Sequence, residues 1–137
     1  MTSVTRVYRF AASHRLHSPL LSDERNREVY GKCDNPYGHG HDYVLQVGVS
    51  GAVPETGVLC NVEALDGYVE DKLLRWVRDR NLNDWEEFGA VVPTTENLAM
   101  VALRRLSDGW RESFPAGPCL ARVRILETER NSVECGL

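Results

Sequence analysis

No histidine follows position 41, and no stretch approaches the roughly 18 apolar residues that a membrane-crossing helix requires. The N-terminus also lacks the apolar run of a secretory signal. A soluble, cytoplasmic protein is therefore expected. None of the four cysteines, Cys33, Cys60, Cys119 and Cys135, forms a CxxC pair, and they lie far apart in a chain that does not look secreted. Reduced thiols are expected, with Cys60, Cys119 and Cys135 as ordinary buried or half-buried residues. There is no basic excess: 16 Lys and Arg stand against 20 Asp and Glu, a formal charge of -4. That argues against a broad electrostatic grip on nucleic acid, so an anionic ligand would need local attraction. No repeat, low-complexity tract or linker interrupts the 137 residues, 42% of them hydrophobic, which suits one domain over 1–137.

What is present reads as an α+β pattern. Val4 to Phe10 is rich in β-branched and aromatic residues, and Tyr43, Leu45, Val47 and Val49 alternate with Val44, Gln46 and Gly48. Both segments are expected to be strands. Between them, Ser13 to Asp42 shows no periodicity, a long connection of the kind that carries function inside a compact domain. Asn61 is placed to cap a helix with Val62, Leu65, Val69, Leu73 and Trp76 at helical spacing. A second helix is expected from Thr94 or Thr95, burying Leu98, Val101, Ala102, Leu106 and Trp110. Ala121, Val123 and Ile125 then alternate with Arg122, Arg124 and Leu126, and a turn near Arg130 and Asn131 leads to a last strand through Val133. The order ββααββ predicts a four-stranded antiparallel sheet with two helices on one face. Its two edges favour assembly by edge pairing.

All four histidines fall between residues 14 and 41. His39-Gly40-His41 enters the second strand, and residues at i and i+2 of extended chain share a side. If the first two strands pair antiparallel, His14 at the end of one lies near the start of the other. Three imidazoles with an open fourth position suit a catalytic zinc ion (Zn2+). His17 reads as a neighbour or a solvent-facing residue rather than a fourth ligand. Cys33 is close enough in sequence to share the pocket, where a nearby cation would favour a thiolate nucleophile or base. A buried structural cysteine is the plainer reading of its spacing. Glu127 falls on the apolar face of its strand, a costly place for a carboxylate. Either the strand has ended there or Glu127 meets a polar ligand. Thr94-Thr95-Glu96-Asn97 reads chiefly as helix-start chemistry.

The stretches Phe10-Ala11-Ala12-Ser13-His14-Arg15-Leu16-His17-Ser18-Pro19 and Tyr30 to Tyr43, with the run Gly38-His39-Gly40-His41, resemble 6-pyruvoyl-tetrahydropterin synthases. They are also similar to the related 6-carboxy-tetrahydropterin synthases of queuosine biosynthesis. The likeness continues through Asn61, Asn81-Leu82, Thr94-Thr95-Glu96-Asn97 and Glu127-Thr128, nearly the whole chain. It implies the tunnelling fold, in which ββααββ subunits join edge to edge into a barrel and two trimeric rings make a homo-hexamer. It implies zinc on His14, His39 and His41, Cys33 as the base, and Glu127 as the pterin anchor with Thr95 and Glu96 as substrate contacts. The implied reaction is the lyase step of tetrahydrobiopterin biosynthesis on 7,8-dihydroneopterin triphosphate.

One departure stands out. The family places an Asp-His pair just before Asn81-Leu82, and here those positions are Arg78 and Asp79. Asp79 is then the candidate to exchange a proton with Cys33. An altered relay, a variant that cleaves the dihydropterin side chain to a 6-carboxy or 6-hydroxymethyl product, and a non-catalytic pterin-binding protein are the readings that this leaves open.

Overall fold

The structure, a computed structural model, describes all 137 residues. Strand β1 (Thr2–His14) is followed by helix α1 (Asp23–Tyr30), a 3-10 turn (Gly31–Asp34) and strand β2 (His39–Gly51). Next come α2 (Val62–Val69), a π-helical turn (Glu70–Leu74) and α3 (Arg75–Val77), a continuous helical run. A two-residue β3 (Arg80–Asn81), α4 (Thr95–Ser107), α5 (Trp110–Ser113), β4 (Cys119–Thr128) and β5 (Asn131–Gly136) complete the chain. The sheet order is β3-β1-β2-β4-β5, antiparallel except for β3, which runs parallel to β1.

The ββααββ frame is present, and several details correct the sequence reading. The sheet has five strands rather than four, because Arg80 and Asn81 pair with Ala12 and Ser13. The connection from Ser13 to Asp42 is not without structure: it holds α1, capped by Ser22, whose side chain accepts from the Arg25 N–H. Trp110 is buried but lies in α5, beyond the end of α4.

Alternation along β2 sends Tyr43, Leu45, Val47 and Val49 into the core, each no more than 1% exposed. They pack with Leu65, Val69 and Leu73 of the first helical run and with Leu98, Val101, Ala102 and Leu106 of α4 in one apolar cluster. Both helical layers therefore sit on one face of the sheet. Val62 and Trp76, expected in that core, are partly exposed; Trp76 instead lies beneath the guanidinium groups of Arg75 and Arg105. Near the start of β4 a register shift opposite Gly48 and Val49 turns Leu120, not Ala121, inward. A bidentate Arg6 to Asp66 pair at 2.9 and 2.8 Å, joined by the Tyr8 hydroxyl at 2.8 Å, clips β1 to α2. The cysteines are free, but Cys119 is exposed rather than buried.

Leu45 is fully buried at the centre of this shared core. Leu45→Ala is expected to cost about 2 to 5 kcal/mol through lost burial and the cavity left behind. Urea denaturation checks it, and a loss below about 1 kcal/mol would mean that sheet and helices do not share this core.

Candidate metal and ligand site

The site is set by strand register. His14 sits directly opposite His39 in the β1–β2 ladder, and Ala12 sits opposite His41. All three histidines face the core side, since they are spaced by two along their strands. The small Ala12 side chain leaves room for the imidazole across from it. The turn that feeds β2 is Asn35-Pro36-Tyr37-Gly38, closed by the Gly38 N–H donating to the Asn35 carbonyl at 2.9 Å. Gly38 has φ +72, and a Cβ there would lie 3.1 Å from the His14 carbonyl oxygen. Glycine therefore lets β2 start beside the end of β1.

One ring nitrogen from each of His14, His39 and His41 lies within 4.8 Å of the others. His14 is completely buried. Its Nδ1 donates to the Pro93 carbonyl at 2.8 Å, so Nε2 carries a lone pair. That Nε2 lies 3.2 Å from His39 Nε2. Two nitrogens each about 2.0 Å from one tetrahedral ion stand about 3.3 Å apart, so the spacing fits a shared cation. His41 Nε2 is buried with no hydrogen-bond partner, as an aimed ligand would be before its ion arrives. Burial, followed by the neighbouring imidazoles, holds His14 and His39 below the ordinary histidine pKa. Both are thus kept in the neutral form that binds metal.

Beside the histidines stands Glu127. Its Oε1 is 3.5 Å from His41 Nε2, and its other oxygen accepts from the Thr95 hydroxyl. Thr95 is itself 1% exposed, at the first turn of α4, whose N-cap is Thr94. The strand carries the carboxylate inward at its end, so Glu127 is a charged acceptor on the rim of the histidine cluster. Glu96, by contrast, is exposed at the outer side of the same turn.

Cys33 is half-buried in the 3-10 turn, and its carbonyl accepts from the Leu16 N–H at 2.7 Å. Burial, and then the Glu127 charge, raise its thiol above the ordinary pKa. Arg78 is committed to Glu70 through two bonds of 2.6 and 2.9 Å. Asp79 is exposed with φ +57, and its N–H donates to the Ala11 carbonyl. It lines an opening of about 370 Å³ with Ser13, His41 and Asp42, which Cys33 does not border.

Several contributors were not foreseen from sequence. Tyr43 Oη lies 3.3 Å from His14 Nδ1, and the Pro93 carbonyl fixes the His14 tautomer. Asp34, 8% exposed, takes His17 Nδ1 at 2.6 Å and the Arg15 guanidinium at 3.2 Å, so His17 is occupied with a carboxylate next to Cys33. A backbone carbonyl carries no residue signal. The Asp34 cluster offered one, a carboxylate beside Cys33 with Arg15 and His17 ahead of it.

An antiparallel sheet that aims three imidazoles and a carboxylate at one point defines an α+β protein with a cluster that could hold a metal ion. The chain belongs to the 6-pyruvoyl tetrahydropterin synthase family, whose model matches residues 3–136. It is 44% identical over 132 residues to the 6-pyruvoyl tetrahydrobiopterin synthase of Poecilia reticulata, covering 95% of this chain and 86% of that one. It is 41% identical to the Homo sapiens protein of the same name, over 95% and 88%. The solved structure of Caenorhabditis elegans 6-pyruvoyl tetrahydropterin synthase superposes with a TM-score of 0.89 at 37% identity, covering 99% of this chain and 95% of that one.

An open three-histidine site has no spare donor, so His39→Ala or His41→Ala is expected to remove most of about one bound divalent ion per chain. Elemental analysis of purified protein reads this. Full occupancy in a His14→Ala, His39→Ala double variant would overturn the assignment.

Proposed function

We propose that the protein is a zinc-dependent carbon-oxygen lyase of the 6-pyruvoyl-tetrahydropterin synthase type, with an altered proton relay. Its substrate is 7,8-dihydroneopterin triphosphate, which loses triphosphate while the side chain rearranges by internal oxidation and reduction, so no external oxidant is needed. The observation that carries this is the convergence of His14, His39 and His41 beside the Thr95-held Glu127. The family and the names of the relatives support the choice of substrate.

Zinc at the three imidazoles would act as a Lewis acid on the side-chain oxygens and make the neighbouring carbon-bound protons more acidic. The chain supplies the rest. Pro93 and Tyr43 hold the His14 ring in orientation, as partners of ligating histidines do. Glu127 offers two acceptor oxygens to the donor edge of the amino-pyrimidine, and Thr95 fixes its plane. Glu96, exposed next to Thr95, is the further substrate contact that the family resemblance suggests. Cys33 moves the proton between side-chain carbons. A metal charge beside it opposes the upward push of burial on the thiol.

The relay is where this chain departs from its family. Arg78 is tied to Glu70, so Asp79 is the group left to exchange a proton with solvent near the site. A carboxylate is a weaker base than imidazole at neutral pH, so turnover should be slow by part of the about 10² to 10⁴ that such a group contributes. The sheet edges, β5 on one side and on the other β1, which β3 covers only at Ala12 and Ser13, support assembly of six copies, as two stacked trimers, in the cytoplasm.

Mass spectrometry after incubation with dihydroneopterin triphosphate is expected to show weak formation of 6-pyruvoyl-tetrahydropterin, abolished by Cys33→Ala. Restoring the pair by Arg78→Asp with Asp79→His should raise the rate. Histidine, like aspartate, tolerates the left-handed backbone at 79. A 6-carboxy or 6-hydroxymethyl product would establish the side-chain-cleaving variant instead, and binding without turnover a pterin-binding protein. Glu127→Gln should weaken dihydropterin binding with metal retained, because an amide donor replaces a charged acceptor facing ring donors. Unchanged affinity would remove Glu127 from the ligand site.

A further inference from the structure

Cys33 sits in a single 3-10 turn entered through Gly31 at φ +55, and so short a turn has few backbone bonds of its own to fix where a side chain stands. Its place is set by the segment that follows His14. The Leu16 N–H donates to the Cys33 carbonyl at 2.7 Å, and Arg15 Nε donates to the Asp34 carbonyl at 3.1 Å. Arg15 Nη2 and His17 Nδ1 reach one and the same carboxylate oxygen, Asp34 Oδ1, at 3.2 and 2.6 Å. Residues 15–17, which begin one position after a histidine of the cluster, are thereby tied to residues 33 and 34 through both backbone and side chains.

Asp34 is the hub of this arrangement. It is 8% exposed, a costly place for a carboxylate without partners, and a guanidinium and an imidazole supply them. His17 is also held from its far side: with the Nδ1 proton facing the carboxylate, its Nε2 lies 3.5 Å from Asn26 Nδ2. Asn26 is fully buried in α1, where it also bonds the Ser18 N–H and carbonyl. The network runs from the end of β1 through Asp34 to α1, and no step of the lyase reaction described above uses it.

We propose that Asp34 is a positioning residue: through Arg15 and His17 it holds the turn that carries Cys33 in a fixed place relative to the histidine cluster. The inference rests on the reading of Cys33 as the base. Cys33 and Asp34 leave the turn on different sides, since the thiol senses the Glu127 charge whereas Asp34 lines a cleft with Arg15 and His17 that Cys33 does not border. Asp34 therefore acts on the thiol through the backbone between them. Misplacing a reacting group by about 1 Å costs about 10²-fold in rate, so such a tether bears directly on turnover.

The test compares full-length, zinc-loaded Asp34→Ala and Asp34→Asn with the parent protein. With dihydroneopterin triphosphate, Asp34→Ala is expected to lower kcat by about tenfold to a hundredfold while KM and zinc content stay nearly unchanged. Asp34→Asn should keep most of the rate, because its amide oxygen replaces the one oxygen that Arg15 and His17 share. Alkylation by iodoacetamide, followed by peptide mass spectrometry, reads the thiol without turnover: Asp34→Ala should change the rate at Cys33, leave that at the exposed Cys119 unchanged, and Asp34→Asn should restore it. If Asp34→Ala does not fold, His17→Ala, which leaves Arg15 on the carboxylate, takes its place with the same expected split. Parent rates for both turnover and Cys33 alkylation in Asp34→Ala would overturn the positioning role. An equal loss in Asp34→Asn would overturn it as well, since charge and not geometry would then be what matters. Activity retained in Cys33→Ala would instead remove Cys33 as the base, and the alkylation rates would still decide whether Asp34 places the thiol.

Discussion

The site depends on a single constraint, the antiparallel register of β1 on β2 that sets His14 opposite His39 and Ala12 opposite His41. A slip of one residue would send one strand's histidine to the other face of the sheet and leave no convergence of three nitrogens. The register is held from both directions. Toward the far end, Val4, Tyr8 and Phe10 of β1 and Leu45, Val47 and Val49 of β2 must all meet the helices. At the near end, the turn through Gly38 brings backbone so close to the His14 carbonyl that a side chain there would collide. The core thus fixes the histidine cluster, which needs no separate scaffold.

Much of this was legible in the sequence because it follows from period and parity. Alternation along β2 and β4 gave the buried face, HGH gave two imidazoles on one side, and the inward carboxylate at Glu127 stood out against Val123 and Ile125. What could not be read has physical reasons. The sole buried residue of α1 is the polar Asn26, which binds three backbone carbonyls, so the helix has no apolar stripe to recognise. The two residues of β3 pair in parallel with Ala12 and Ser13, a tertiary contact too short to leave a periodic signal. The inward turn of Leu120 comes from a register shift that parity counting does not anticipate. Trp76 escaped the core because the π-helical turn at Glu70–Leu74 rotates the last helical turn away from ideal spacing.

The departure from the family is equally physical. Arg78 has entered an ion pair on the surface, and Asp79 occupies a left-handed backbone position on an opening that does not reach Cys33. Glu127 and Thr95 converge beside the histidines, whereas Asp79 lines an opening that Cys33 does not border.

The central claim is that three imidazoles and no thiolate hold an ion with an open position. Zinc-edge X-ray absorption on the metal-loaded full chain tests it most directly. Three imidazole nitrogens at about 2.0 Å with the remaining shell made of oxygen is the predicted result. A sulfur scatterer at about 2.3 Å would place Cys33 on the metal and contradict both the open site and the role assigned to the thiol.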